Sequence, residues 1–201
     1  MKNTALWIGC ILVALFCGSG ANAEIIIKVE QVGSNVVATG SGTLDTTDVT
    51  LSSPTFFSAG TNPSIGTLVL GVTGLQSGSS FAVSGPASLG TGSFMSATTG
   101  TGSALGVGVP PVSGGGHLVI VPANYVSGTF LSSMNTWNNT TLAALGVNPG
   151  TYTYNWGSGA HADKLVIDVV SPTVIPEPGT LGLLGTGLIG LAGMARRKLK
   201  L

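Results

Sequence analysis

From Val49 to Ala162 the chain runs for 114 residues without one Asp, Glu, Lys or Arg. Gly, Ser and Thr dominate this stretch, with Val, Leu and Ala between them. Low complexity of this kind can leave a chain unfolded, but the hydrophobicity here is too high for charge-driven disorder. The reading that remains is a charge-poor, Gly/Ser/Thr-rich β protein. The surrounding segments support it. Ile25, Ile27 and Val29 alternate with Ile26, Lys28 and Glu30, and Leu165, Ile167 and Val169 alternate with Lys164, Val166 and Asp168. Strict alternation of that length describes half-buried strands, because successive side chains in a strand point to opposite faces.

Further strands are predicted at Val36–Thr39, Val49–Phe57, Thr67–Val72, Ser80–Ser84, His117–Val121, Val126–Ser132 and Thr151–Trp156. Gly, Pro, Asn and Ser fill the breaks between them, as hairpins and loops require. About nine short strands without a long helical pattern give an all-β, antiparallel two-sheet sandwich, jelly-roll-like in outline. One short helix is expected, capped by Asn139 or Thr140, running through Leu145 and stopped by Gly146 with Pro149 beyond. Gly-Thr-Gly-Ser occurs at 90–93 and again at 100–103. We read the two copies as biased composition rather than a repeat.

The ends of the chain read as addresses. Lys2, the apolar run Ala5–Phe16 and the small-x-small site Ala21-Asn22-Ala23 fit a secretory signal peptide over 1–23, with cleavage after Ala23 and a mature start at Glu24. The run is too short for a permanent span, which needs about 20 apolar residues. Lipoprotein processing at Cys17 is disfavoured by Phe16, which sits where a small residue is wanted. Cys10 and Cys17 are the only cysteines, so the mature chain would have no thiol chemistry and no disulfide. At the other end, Pro176-Glu177-Pro178 precedes the apolar run Thr180–Ala195, followed by Arg196, Arg197, Lys198 and Lys200. Sixteen residues give about 24 Å of helix against a hydrocarbon core of ~30 Å. The segment is therefore expected as a single, marginal transmembrane helix. Basic residues after it argue for a cytoplasmic end.

This three-part tail, residues 174–201, resembles the PEP-CTERM sorting tail of bacterial surface and exopolysaccharide-associated proteins. The resemblance implies recognition of the Pro-Glu-Pro motif by an exosortase, a membrane-embedded processing enzyme. It further implies transient anchoring in the inner membrane, then release to the cell surface or the extracellular biofilm matrix. Gly40-Ser41-Gly42-Thr43-Leu44-Asp45, Tyr125-Val126-Ser127-Gly128, Thr140–Gly146 and the series from Pro149 to Asp163 resemble segments of exported domains that carry such tails. That likeness implies one folded surface domain over 24–173 and transfers no catalytic residue. Gly185-Thr186-Gly187-Leu188-Ile189-Gly190 has the letters of a dinucleotide fingerprint but lacks the preceding strand, the βαβ unit and the later acidic residue.

The mature domain has few reactive groups. Between 24 and 173 there are six acids (24, 30, 45, 48, 163, 168) and two bases (28, 164), a net charge of −4. Two bases cannot neutralise a phosphate footprint, which argues against a nucleic-acid partner. His161 and Asp163 share a face if extended, but no Gly-x-Ser-x-Gly elbow supplies a nucleophile. No carboxylate pair is marked for glycoside hydrolysis, and we expect no enzyme. Asp45 with Asp48, or Asp163 with Asp168, could offer oxygens to calcium, yet no twelve-residue loop supports it. His117 and His161 lack zinc spacing. Neither a metal nor a cofactor is expected.

Two functions of different class remain. One is a structural or adhesive matrix protein; the other is a module that binds polysaccharide or, less readily, ice. An ice-binding face would need a regular Thr-x-Thr ladder, and only Thr99-Gly100-Thr101 and Thr151-Tyr152-Thr153 occur. Tyr152, Tyr154 and Trp156 fall on one face of a strand, a candidate ligand surface because rings stack on sugar faces. The competing reading packs the same face inside the sandwich, with Trp137 and Phe130 beneath it. Core packing is the commoner fate of large aromatics.

Overall fold

A computed structural model describes residues 24–109, 116–172 and 180–198. The chain divides into two compact units, one ending at Val170 and one starting at Ser171. The first is built from two sheets. One contains β1 (Glu24–Val32), β2 (Asn35–Gly42), β8 (Thr99–Gly102), β11 (Leu131–Trp137), β12 (Gly150–Trp156) and β13 (Asp163–Val169). The other contains β3 (Ser52–Ser58), β4 (Gly60–Asn62), β5 (Thr67–Leu70), β6 (Leu75–Val83), β7 (Met95–Ser96), β9 (Leu105–Gly108) and β10 (His117–Pro122). Their orders are β12-β13-β1-β2-β11-β8 and β3-β6-β10-β9-β5-β4-β7.

The alternation at the two ends of the domain does what it predicts. Ile25, Ile27 and Val29 are buried, as are Leu165, Ile167 and Val169. The two sets lie side by side, because Ile25 pairs with Leu165, Ile27 with Ile167 and Val29 with Val169. That pairing is parallel, which corrects the expectation of purely antiparallel sheets. Parallel neighbours need a long connection, and here the rest of the domain is the connection. β1 turns back into β2 through the two-residue loop Gly33-Ser34, with Gly33 at φ +61. A glycine in the first loop position suits the II′ turn that matches strand twist.

Buried residues of both sheets form one core, joining Ile27, Val36 and Trp137 to Leu70, Phe81, Leu105 and Val119. Gly40 sets how closely the sheets approach. A β-carbon there would sit 3.0–3.1 Å from Leu105, Ile27 and Leu70.

The second sheet is not flat. β3 is first in its order and β4 is sixth, five spacings of about 4.8 Å, or about 24 Å, in a flat sheet. Only the buried Ala59 separates Ser58 from Gly60, and two residues reach at most about 7 Å. The sheet must therefore roll until its first and sixth strands meet at Ala59. Phe57, Val69 and Ile120 make a hydrophobic cluster separate from the main core, and they fill this roll. Thirteen strands among the described residues, in sheets of six and seven, also exceed the eight of a jelly roll.

Several boundaries differ from expectation. Residues 126–130 form no strand; the strand lies further on, as β11, and Phe130 is 66% exposed instead of under the aromatic row. The helix α1 (Leu142–Leu145) is capped by Thr141, whose hydroxyl accepts from the Ala144 N–H at 3.0 Å, and it ends at the left-handed Gly146. Asn139 and Thr140 lie before the cap. Strands β4, β7, β8 and β9 were not expected, because Thr-Gly-Thr-Gly carries no apolar residue and Leu-Gly-Val-Gly is four residues long with glycine, a poor strand former, at every second position. The two Gly-Thr-Gly-Ser copies do not pair with each other: Gly90 bridges Val147, and residues 100–102 pair with β11.

Candidate functional site

The three rings of β12 share a face, as their spacing requires, and that face is the interior. Tyr154 is completely buried, Trp156 nearly so and Tyr152 partly. Trp156 meets the edge of Phe81 with centroids 5.1 Å apart. The Tyr154 hydroxyl reaches the carbonyls of Gly66 and Pro86, each at 3.3 Å, and burial raises its pKa to about 12. Tyr152 donates to the Asn148 carbonyl at 2.9 Å. The row is therefore core, not an exposed ligand platform. The physical reason is position: β12 is the edge strand of its sheet, and its inward face packs against β6 and the 84–89 segment.

The densest polar assembly lies at one end of the sandwich, around Asp45. Every polar group of this residue is engaged. Its N–H donates to Asp163 Oδ2 at 2.7 Å, and its carbonyl accepts from Trp156 Nε1 at 2.8 Å. Oδ1 accepts from the Thr47 N–H at 2.9 Å, the Thr47 hydroxyl at 2.6 Å and the Ser127 hydroxyl at 3.1 Å. Oδ2 accepts from His161 Nδ1 at 2.8 Å. Next to it, the Tyr125 hydroxyl accepts from the Leu44 N–H at 3.0 Å and donates to the Thr129 carbonyl at 2.7 Å. The Gly128 N–H closes on the Leu44 carbonyl at 2.9 Å.

These contacts unite segments that sequence reading could only set side by side. Leu44-Asp45, Tyr125-Ser127-Gly128 and the Trp156–Asp163 turn are at least 28 residues apart in the chain, and the fold ties them into one knot. The Thr47 hydroxyl, then His161 and the Thr47 N–H, hold the Asp45 carboxyl well below the ordinary carboxylate range. The same bond raises the His161 pKa. Asp163 is shifted the other way: burial raises its pKa, although both its oxygens accept backbone N–H groups, from Asp45 and Lys164.

The knot is built for holding. His161 pairs with Asp45 and not with Asp163, so the expected shared face of His161 and Asp163 does not form a dyad. The Ser127 hydroxyl is committed to Asp45 and to the Thr46 N–H. Asp48 is not among the residues bonded to Asp45, and Asp168 accepts from Thr151 on the outer face, far along β13 from Asp163. Among the described residues no group of three or more His, Cys, Asp and Glu could hold a metal ion. His117 is instead buried against Tyr154, with Nε2 3.3 Å from the Ile65 carbonyl.

In the second unit, α2 (Thr180–Lys198) is a single helix of 19 residues. Leu183, Leu184, Leu188, Ile189, Leu191 and Met194 are all exposed on it. Arg196, Arg197 and Lys198 occupy its last turn, where cations oppose the negative end of the helix dipole. Among the described residues no helix is long and apolar enough to cross a membrane. The apolar part of α2 is only the 16 residues of Thr180–Ala195, five of them glycine, before Arg196, Arg197 and Lys198. Pro176, Glu177, Pro178, Lys200 and the cleavage site Ala21 and Ala23 lie outside the described residues.

Residues 174–198 match the family model for the PEP-CTERM protein-sorting motif. No curated protein and no solved structure matches the chain.

Proposed function

We propose that a chain ending in a PEP-CTERM sorting motif is an exported bacterial surface protein, a structural or adhesive component of the extracellular matrix. The sorting-motif match over 174–198 carries this reading. Export begins with removal of residues 1–23. α2 then serves as a transient inner-membrane anchor with its basic end in the cytoplasm, held there by the positive charges after the apolar run. The apolar run Thr180–Ala195 reaches about 24 Å against the ~30 Å hydrocarbon core, and the five glycines weaken the anchor further. A weak anchor suits a segment that an exosortase-like enzyme removes near Pro176-Glu177-Pro178.

The β domain is then the delivered cargo. Its polar groups are spent on internal bonds at the Asp45 knot, which supports a role in matrix structure over one in catalysis. Binding of extracellular polysaccharide is the second reading, favoured by a cleft described below; ice binding has less support. No catalytic residue, cofactor, metal or nucleic-acid partner belongs to the proposal.

Intact mass and terminal sequencing of protein recovered from the cell surface test it. The expected product starts at Glu24, ends near 176–179 and lacks Arg196–Leu201. Surface material that still carries the basic end would overturn the transient anchor. Replacing Pro176 and Glu177 together by alanine should hold the precursor in the inner membrane; normal release of that variant would remove the motif from the mechanism.

A further inference from the structure

The rolled sheet opens into a shallow cleft of about 260 Å³. Its floor is the Phe57, Val69 and Ile120 cluster that fills the roll. Two rings stand at its rim from opposite edges of the same sheet: Phe56 on β3, 67% exposed, and Phe94 just before β7, 50% exposed. Ser58 and Asn62 contribute polar residues to the lining. The mouths of rolled and closed sheets are common ligand sites.

We infer that this cleft binds an uncharged glycan chain, an inference that rests on the polysaccharide-binding reading above and gives it a site. Charge selects the class of ligand. Every strand of the rolled sheet lies inside the 114-residue stretch without an ionic side chain. The domain's charged residues belong to β1, β13 and the Asp45 loop. An anionic or cationic polymer would leave water for a surface with no counter-charge, a loss nothing in the cleft offsets. A neutral sugar chain meets no such penalty. Its C–H faces stack on Phe56 and Phe94, and its hydroxyls meet Ser58 and Asn62.

The test uses the full chain purified in detergent and polysaccharide from the producing cells, separated into neutral and acidic pools. The wild-type chain should co-sediment with the neutral pool. Phe56→Ala with Phe94→Ala should weaken that binding at least tenfold and leave the melting temperature within a degree or two, since both rings are largely exposed. Phe130→Ala, equally exposed but outside the cleft, should bind as wild type. Unchanged neutral-pool binding by the double variant would overturn this site and leave the polysaccharide reading standing. Binding of neither pool, or of the acidic pool alone, would overturn the inference, and binding of neither would also remove the polysaccharide reading. Concentration-dependent self-association lost in the double variant, without glycan binding, would reassign the cleft to protein–protein contact.

Discussion

Asn135 gives both ends of its carboxamide to one residue of the facing sheet: the Gly71 N–H donates to Oδ1 at 2.8 Å, and Nδ2 donates to the Gly71 carbonyl at 3.0 Å. Asn135 lies on β11 of the six-stranded sheet, and Gly71 follows β5 of the rolled one. The side chain is almost completely buried, so it acts as a short piece of strand backbone between the two layers. Gly100 is glycine for the same reason, because a β-carbon there would collide with the Asn135 amide and the Gly71 carbonyl.

Asn135→Leu should therefore destabilise the domain by about 2–4 kcal/mol, since it strands a buried donor and acceptor on Gly71 at about 1–3 kcal/mol each. Asn135→Asp should be at least as damaging, because it replaces a needed donor with an acceptor. Urea denaturation checks both. A loss below about 0.5 kcal/mol for the leucine variant would show that the bridge contributes nothing.

Asp163→Ala removes the acceptor for two backbone N–H groups, those of Asp45 and Lys164, both at 2.7 Å. A cost of about 2–4 kcal/mol is expected. Asp163→Asn keeps the shape but must aim a donor at one of the two N–H groups, so it should recover only part of the loss. Equal stability of the asparagine variant and wild type would mean the carboxylate geometry is immaterial.

The Asp45–His161 pair sets a pH window. The folded pKa of Asp45 lies below its ordinary 3.8, so its contribution is present above about pH 4 and lost as pH falls through the folded value. The His161 pKa lies above its ordinary 6.5, so its contribution is complete below 6.5 and fades as pH rises through the raised value. The pair is worth most between about pH 4 and 6.5. Asp163, raised by burial, favours the folded state on the acid side and opposes it once ionised. The melting-temperature gap between wild type and His161→Gln should be widest near pH 5 and shrink toward pH 9. A gap that stays constant across that range would contradict the pairing.

Trp156→Ala should cost about 3–5 kcal/mol, because it empties a core position and frees the Asp45 carbonyl. Ile167→Asp should cost several kcal/mol by placing an unpaired charge between the sheets. Calorimetry distinguishes both from surface changes. Melting of Trp156→Ala at the wild-type temperature would return the β12 rings to the surface.

What could be read in the sequence was whatever local chemistry dictates. Ile25, Ile27 and Val29, and their counterparts on β13, announce strands because alternation is a property of a single segment. The turn at Gly33 and the stop at Gly146 follow from backbone freedom at one residue. The tail is legible because its order of motif, apolar run and basic end is linear. Tertiary structure decided everything that depends on which segment meets which. Two strands at opposite ends of the domain pair in parallel, and nothing in either sequence specifies that neighbour. Tyr152, Tyr154 and Trp156 share a face by spacing, but only the sheet opposite makes that face the interior. His161 chose Asp45 over the nearer Asp163 because the chain turns at Ser158–Ala162 and brings a loop more than 100 residues away within hydrogen-bond reach. The cleft between Phe56 and Phe94 exists because one buried residue, Ala59, joins the first strand of a sheet to the sixth, and covalent reach forces the sheet to roll.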